Sequence, residues 1–150
     1  MIDQLKRIFG ATPAATGVLQ SREPLELATA ALLIELARAD FSESSAELEA
    51  IRQVLQRHFG MTDATLATLI ADATKRADRA VSLHEFTHRL NLELPEVDKF
   101  AIVEMLWRVS NADGHIDKHE DHLIRRICGL LHVSDRDRVR LKLKVIVAPE

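Results

Sequence analysis

Residues 33–40 read LIELARAD and residues 106–113 read LWRVSNAD, and these two similar stretches decide the fold. The second lies 73 positions after the first (40 to 113), and the same offset pairs Glu47 with Glu120 and Ile51 with Ile124. Similarity at a fixed spacing indicates a repeated supersecondary unit. We therefore expect two related halves about a pseudo-twofold axis, each with a buried helix, an acidic bend, an amphipathic helix, a capped turn and a third helix.

Helical spacing of apolar residues predicts an all-α bundle of about seven to eight helices. Pro24 and Pro95 each open a helix that is apolar nearly all round, which predicts two central, buried helices. One further helix is expected to end at Gly60, a second to span 63–79, and a third to run from a Ser82–Glu85 capping box to about 93. Two more are expected, one over about 118–131 and one that follows Ser134. Residues 139–145 alternate apolar and charged side chains, as strands do, but a lone strand would have no partner, so this segment is also predicted to be helical.

Composition limits the classes of function. The chain has 150 residues, of which 47% are hydrophobic and 29% charged, and its net charge is −3. These values are typical of one globular domain. Mixed charge argues against nucleic-acid binding, and no apolar run approaches the roughly 20 residues that span a bilayer, so membrane insertion is not expected. The N-terminus lacks a signal-peptide pattern, which predicts a cytoplasmic location. The single cysteine, Cys128, excludes an internal disulfide and is expected in the core.

The N-terminal 22 residues are predicted to be separate from the helical domain, which covers residues 23–150. Residues 1–9 are expected to form a short amphipathic helix that docks on the domain. Residues 10–22, rich in alanine, threonine, glycine and serine, are expected to form a linker.

The two acidic bends carry the signatures Ala37-Arg38-Ala39-Asp40 and Asn111-Ala112-Asp113-Gly114-His115-Ile116-Asp117-Lys118-His119-Glu120. These signatures resemble the TerB-like (tellurite-resistance) family over roughly residues 25–147, although Phe41 stands where the family has glycine. The resemblance implies a compact bundle of about seven helices linked to tellurite and other chemical stress. It also implies a divalent-metal site at the bends, and a use of the domain as an accessory module beside chaperone-related domains.

The bends also favour metal binding by their own chemistry. Each half places a glutamate seven residues after an aspartate, and a twofold axis would bring four or more carboxylate oxygens together. Such oxygen donors suit Ca²⁺, Mg²⁺ or Mn²⁺ better than Zn²⁺. The candidate ligands are Asp40, Glu47, Asp113 and Glu120, with Asp117 and Glu43 at the periphery and His115 and His119 as auxiliary nitrogen ligands.

Helix capping is the alternative reading of the same residues. Ser44-x-x-Glu47 and Asp117-x-x-Glu120 both match the capping box, and Gly114 suits a left-handed helix stop. Capping leaves Asp40 and Asp113 unexplained, because a carboxylate is unfavourable at a helix C-terminus. An EF-hand is not expected, since the first position of its calcium loop would fall on Val109.

A zinc hydrolase is a third alternative, since residues 84–88 read HEFTH and match the HExxH motif. In that motif His84 and His88 would bind zinc and Glu85 would act as the base. Glu85 is also the last residue of the predicted capping box, and no third zinc ligand follows at the usual spacing. Capping is therefore the favoured role of Glu85.

The sequence thus favours a non-catalytic, metal-binding or metal-responsive domain. The second hypothesis is a metal-free interaction module that docks a chaperone- or membrane-associated complex through its acidic, histidine-bearing surface. Protein partners, and a homodimer as one oligomeric option, are compatible with both hypotheses.

Overall fold

The computed structural model describes residues 24–39 and 44–147. All secondary structure in this part of the chain is helical, which confirms the predicted fold class. The N-terminal helix and linker predicted for residues 1–22, and the candidate ligands Asp40 and Glu43, lie outside the described residues. The seven helices are α1 (Leu25–Ala37), α2 (Ser45–Phe59), α3 (Asp63–Arg79), α4 (His84–Glu93), α5 (Glu96–Ser110), α6 (Lys118–Leu130) and α7 (Asp135–Val147).

Two central helices, α1 and α5, pack against each other in the core. Most side chains of α1 are buried all round, as its sequence predicts. Its one buried hydroxyl is satisfied within the helix, because Thr29 Oγ1 donates to the Leu25 carbonyl oxygen at 2.9 Å. The largest buried side chain is that of Trp107 on α5, whose Nε1–H donates to the Arg138 carbonyl oxygen at 3.1 Å.

The contacts between helices repeat in the two halves. The most extensive packing of α1 is on α3, and that of α5 is on α7. The amphipathic helix of each half also crosses to the central helix of the other, so that α2 packs on α5 and α6 packs on α1. This interlocked pattern is what two halves related by a pseudo-twofold axis require. Helix α4 is not part of the repeated three-helix unit, and it packs on α1 and α6.

The turn after each amphipathic helix confirms the repeat at the level of the backbone. Gly60 ends α2 in the left-handed conformation with φ of 64°, and its N–H donates to the Gln56 carbonyl oxygen at 2.8 Å. The position that matches Gly60 in the second half is His132, and it has φ of 63°. The same left-handed conformation is therefore kept where the residue is not glycine.

The start of α4 differs in detail from the predicted capping box. The helix begins at His84, and Leu83 at its N-cap position makes no side-chain capping bond. Instead the Glu85 carboxylate reaches back and accepts hydrogen bonds from the N–H groups of Val81, at 2.7 Å, and Ser82, at 3.2 Å. Only the glutamate half of the box forms, because Leu83 is already helical in conformation.

The remaining helix ends follow the sequence predictions. Asp137 N–H donates to Ser134 Oγ at 3.1 Å where α7 begins, and residues 139–145 lie within that helix despite their strand-like alternation. Within the described ranges, every helix is too short or too polar to cross a bilayer.

Candidate functional site

Asp113 has a structural role in the second acidic bend. It lies beyond the end of α5, is exposed, and its Oδ1 accepts a hydrogen bond from the His115 N–H at 3.1 Å. Gly114 follows with φ of 85°. An aspartate that bonds the backbone two residues on forms an Asx-type turn. This local bond explains the position of Asp113, which helix capping alone left open.

Asp117 caps the N-terminus of α6, as its sequence position predicts. Its Oδ2 accepts from the His119 N–H at 2.7 Å and lies 3.2 Å from His119 Nδ1. Partial burial raises the pKa of the Asp117 carboxyl, but the hydrogen bonds from His119 outweigh this effect and hold the pKa below its usual range. Asp117 is therefore predominantly a charged helix cap at neutral pH.

Glu47 and Glu120 share an uncommon environment. Each is the third residue of its helix, where a glutamate normally remains in contact with water. Here the side chains are only 4% and 1% exposed. For Glu47, the backbone part of the predicted capping box forms, since its N–H donates to Ser44 Oγ at 3.0 Å. Two carboxylates are thus buried at repeat-equivalent positions, each beside one of the bends.

The structure describes four of the six candidate carboxylate ligands. Among the described residues, no three side chains of the His, Cys, Asp and Glu types converge into a group that could hold a metal ion. Glu47, Asp113, Asp117 and Glu120 therefore do not form such a group by themselves. The auxiliary candidates His115 and His119 are both exposed at the second bend.

The HExxH segment has a geometry that suits capping. Besides its two backbone bonds, Glu85 forms an ion pair with Arg76 at 2.9 Å. These hydrogen bonds, led by the one from the Val81 N–H, lower the pKa of the Glu85 carboxyl, which weakens it as a base. The rings of His84 and His88 stack at 5.1 Å between centroids on the exposed side of α4. The Glu85 carboxylate, which would activate water in a zincin, is thus bonded to the backbone at the start of α4.

A large surface groove lies where α6 crosses the C-terminal end of α1. Its volume is about 750 Å³. We call it the histidine groove, and the described residues that line it are Glu35, Arg38, Ala39, Lys118, His119, His122, Leu123 and Arg126.

A second groove, of about 440 Å³, lies where α2 crosses the C-terminal end of α5. We call it the arginine groove, and its lining comprises Ala46, Glu49, Ala50, Gln53, Val54, Arg57, Arg108, Asn111, Ala112 and Val145. The offset of 73 positions converts most of the lining of one groove into that of the other, for example Ala39 into Ala112 and Ala50 into Leu123. The two grooves are therefore counterparts under the pseudo-twofold axis.

Sequence reasoning did not identify the histidine groove, and His119 is the one lining residue that it named as a candidate ligand. Glu35 and Arg38 come from the other half of the chain and meet α6 only through the interlocked packing. The repeat was the available signal, because two halves related by a pseudo-twofold axis pack against each other and bring residues of both to one surface.

Comparison with known proteins identifies a family. The family model described as tellurite resistance protein TerB matches residues 26–143, which include all of the helices except the ends of α1 and α7. No curated protein and no solved structure matches the chain significantly.

Proposed function

This chain belongs to the TerB family, and we propose that it is a non-catalytic cytoplasmic domain that binds a divalent metal ion at its two acidic bends. In this proposal the metal-bound form is the active state in a response to tellurite or another chemical stress. The ligands are carboxylates from both halves of the repeat.

The burial of Glu47 and Glu120 is the observation that carries this proposal. A buried carboxylate loses its hydration, and proteins normally compensate for that loss with a cation, a metal ion or hydrogen bonds. A single buried glutamate is readily explained by local packing. Two at repeat-equivalent positions beside acidic bends indicate a purpose common to both halves.

The chemistry of the candidate ligands selects the class of metal. Carboxylate oxygens are hard donors and prefer Ca²⁺, Mg²⁺ or Mn²⁺, whereas a site for Zn²⁺ normally includes histidine or cysteine. Asp40 and Glu43 would have to complete the set, because the other four carboxylates do not form a three-ligand group.

The test is calorimetric titration of chelator-treated protein with Ca²⁺, Mg²⁺, Mn²⁺ and Zn²⁺, with the melting temperature followed in parallel. A metal that binds the folded state raises the melting temperature at increasing concentration. We expect one of the hard cations to do so, and we expect the effect to be lost in the double variant Asp40→Asn with Asp113→Asn.

A matched control is Asp63→Asn with Asp135→Asn. These two residues are also repeat-equivalent, and each is the first residue of the third helix of its half, away from the bends. The control should retain binding. No binding of any ion at millimolar concentration, or equal loss of affinity in the control, would overturn the proposal.

A metal-free interaction module is the second candidate, and the local bonds of Asp113 and Asp117 favour it. Both carboxylates already accept backbone hydrogen bonds at 3.1 and 2.7 Å, so neither needs a metal ion for its position. In this candidate the acidic bends are a docking surface for a chaperone- or membrane-associated complex. Capture of such a complex should survive chelator and fail after charge reversal at Glu43, whereas loss in chelator would point back to the metal.

A further inference from the structure

The histidine groove carries a row of three basic side chains at positions where its counterpart has none. Lys118, His122 and Arg126 are spaced four residues apart on α6, so they lie along one edge of the helix. All three are exposed, and none has an ion pair or hydrogen bond with another described residue. Their side chains are therefore available to a ligand.

The opposite wall of the groove contributes little net charge. Arg38, directly after the end of α1, forms an ion pair with Asp78 at 2.7 Å. Glu35 is half-buried beside it, and burial raises the pKa of the Glu35 carboxyl while Arg38 partly opposes this effect. The attraction for an anion therefore comes mainly from α6.

The floor of the groove between these walls is apolar. Ala39 and Leu123 supply it, and both are partly buried. A ligand that fills the groove would cover this apolar surface while its charged groups meet the rim of α6. Pockets of a few hundred to a thousand cubic ångströms with this division of polarity are typical of binding sites.

The equivalent positions on α2 are Ser45, Glu49 and Gln53, of which the last two line the arginine groove. These three positions carry one negative charge and no positive charge, and the first positive charge on this edge of α2 is Arg57, one turn further along. The two grooves have the same origin in the fold, so the basic row is a property of the second half and does not follow from the shape of the bundle.

We propose that the histidine groove binds an extended acidic segment of a protein partner. Four residues of α-helix advance about 6 Å, which sets the spacing of the basic row. Side chains on one face of an extended peptide are about 7 Å apart, because alternate residues share a face. A segment with an acidic residue at every second position therefore places one carboxylate near each basic side chain of the row. This proposal is independent of the metal proposal and is tested with chelator present.

The first experiment measures binding of a labelled decapeptide of alternating glutamate and alanine by fluorescence anisotropy at low ionic strength. A decapeptide of alternating glutamine and alanine is the neutral control. We expect saturable binding of the acidic peptide alone, weakened as salt is raised, since exposed charge pairs are screened. Equal binding of both peptides, or no binding of either, would overturn the proposal.

Variants locate the site. Arg126→Gln should weaken binding about threefold, which is typical of one exposed charge pair. The triple variant Lys118→Ser, His122→Glu and Arg126→Gln installs the repeat-equivalent residues of α2 and should weaken binding about tenfold or more. Arg125→Gln is the matched control, because this exposed arginine is on the same helix but does not line the groove. Equal weakening by Arg125→Gln would overturn the proposal, since it would reveal only nonspecific charge attraction.

The reverse exchange tests sufficiency. Ser45→Lys, Glu49→His and Gln53→Arg transfer the row to the arginine groove and should create a second peptide site. Helical content measured by circular dichroism verifies that all variants fold.

Two other occupants give distinct outcomes. Full displacement of the peptide by inorganic pyrophosphate at lower concentration than by unlabelled peptide would assign the groove to a small phosphorylated ligand. Self-association of the wild type in sedimentation, abolished by the triple variant, would assign it to a second copy of this chain. Either result overturns the proposal of a partner segment.

Discussion

The central helices α1 and α5 occupy equivalent places in the two halves but differ in polarity. The middle turns of α1 carry no charged side chain, whereas the equivalent part of α5 carries Glu104, which forms an ion pair with Arg108 at 2.9 Å. The backbone plan is nevertheless the same, down to the left-handed residue at positions 60 and 132. The comparison shows that the repeat preserves packing and turns, while the charges on the central helices and in the two grooves have diverged.

The divergence reverses the charge at one pair of equivalent groove positions, Glu35 and Arg108. In the arginine groove the acidic residue Glu49 is on the amphipathic helix and the cation Arg108 is on the central helix. In the histidine groove the cation Arg126 is on the amphipathic helix and the acidic residue Glu35 is on the central helix. A difference of this kind affects recognition more than stability, because partly exposed charges contribute little to folding.

The largest expected effect compares the cores of the two halves. Trp107 and Ile34 are repeat-equivalent and buried. Trp107→Ala should lower the free energy of unfolding by about 4 kcal/mol, and Ile34→Ala by about 3 kcal/mol, because both leave cavities and the larger side chain leaves the larger one. Urea unfolding followed by circular dichroism measures both. A larger loss for Ile34→Ala would mean that the first half contributes more to the stability of the core.

The next effect concerns the two left-handed turns. A side chain at positive φ costs about 1 kcal/mol, and glycine avoids this cost. Gly60→Ala should therefore lower the free energy of unfolding by about 1 kcal/mol. A Cβ at position 60 would meet no atom within 4 Å, so the loss is conformational and not steric.

The same comparison predicts the opposite sign in the second half. His132→Gly should raise the free energy of unfolding by about 1 kcal/mol, as it relieves the conformation that Gly60 already accommodates. Changes of the same sign in both variants would show that the two turns are not equivalent.

A third comparison concerns position 98, whose equivalent in the first half is the buried Leu25. Asp98 is 1% exposed, and neither carboxylate oxygen accepts a hydrogen bond in the part of the chain described. Burial raises the pKa of the Asp98 carboxyl above its ordinary value. Ionisation of Asp98 therefore opposes folding at neutral pH, and this penalty is lost as the pH falls through the raised folded-state pKa toward the ordinary carboxyl value.

The variant Asp98→Asn tests this effect. It should be more stable than the wild type at pH 7, by on the order of 1 kcal/mol, and the difference should shrink as the medium is acidified. Melting temperatures across the acidic range measure it. A constant difference at all pH values would mean that packing, and not charge, distinguishes position 98.

The smallest expected effect is that of a surface ion pair present only in the second half. Glu104 pairs with Lys144 at 3.0 Å, whereas its equivalent in the first half is Ala31. Burial raises the pKa of the Glu104 carboxyl, but hydrogen bonds from Arg108 and Lys144 outweigh this and lower it. Its contribution to stability is therefore present at neutral pH and lost on acidification, which is opposite to Asp98 on the same helix.

Lys144→Gln should cost about 0.5 kcal/mol or less, because the lysine is largely exposed. The cost should fall toward zero in high salt, where exposed pairs are screened. Urea unfolding at low and high ionic strength gives both values, and a salt-independent cost would indicate lost packing of the lysine chain instead.

The sequence was sufficient to predict the helices because their signals are local. Apolar spacing, the N-cap residues Ser44 and Asp117, and the stop at Gly60 all act within a few residues of one another. The left-handed His132 could be found only through its match to Gly60, since histidine itself gives no such indication. The burial of Asp98 and the placement of Arg38 and His122 in one groove depend on contacts between distant parts of the chain, which local patterns do not encode.

The candidate metal ligands show the same division. Their positions at helix starts and bends could be predicted, because capping and turn chemistry are local. Whether their oxygens converge depends on how the halves pack. The bond from the His115 N–H to Asp113 also shows that a carboxylate unexplained by one local motif can be satisfied by another.

The reactivity of the buried Cys128 thiol can report local opening of the molecule. The side chain is 1% exposed, and burial raises the pKa of the thiol to about 12. Thiolate, the reactive form, is therefore scarce while α6 is packed on the core. A thiol reagent reacts with Cys128 only when that helix separates from the core. The rate at which a thiol reagent modifies Cys128 therefore reports how often α6, which forms one wall of the histidine groove, separates from the core. The measurement needs no substitution.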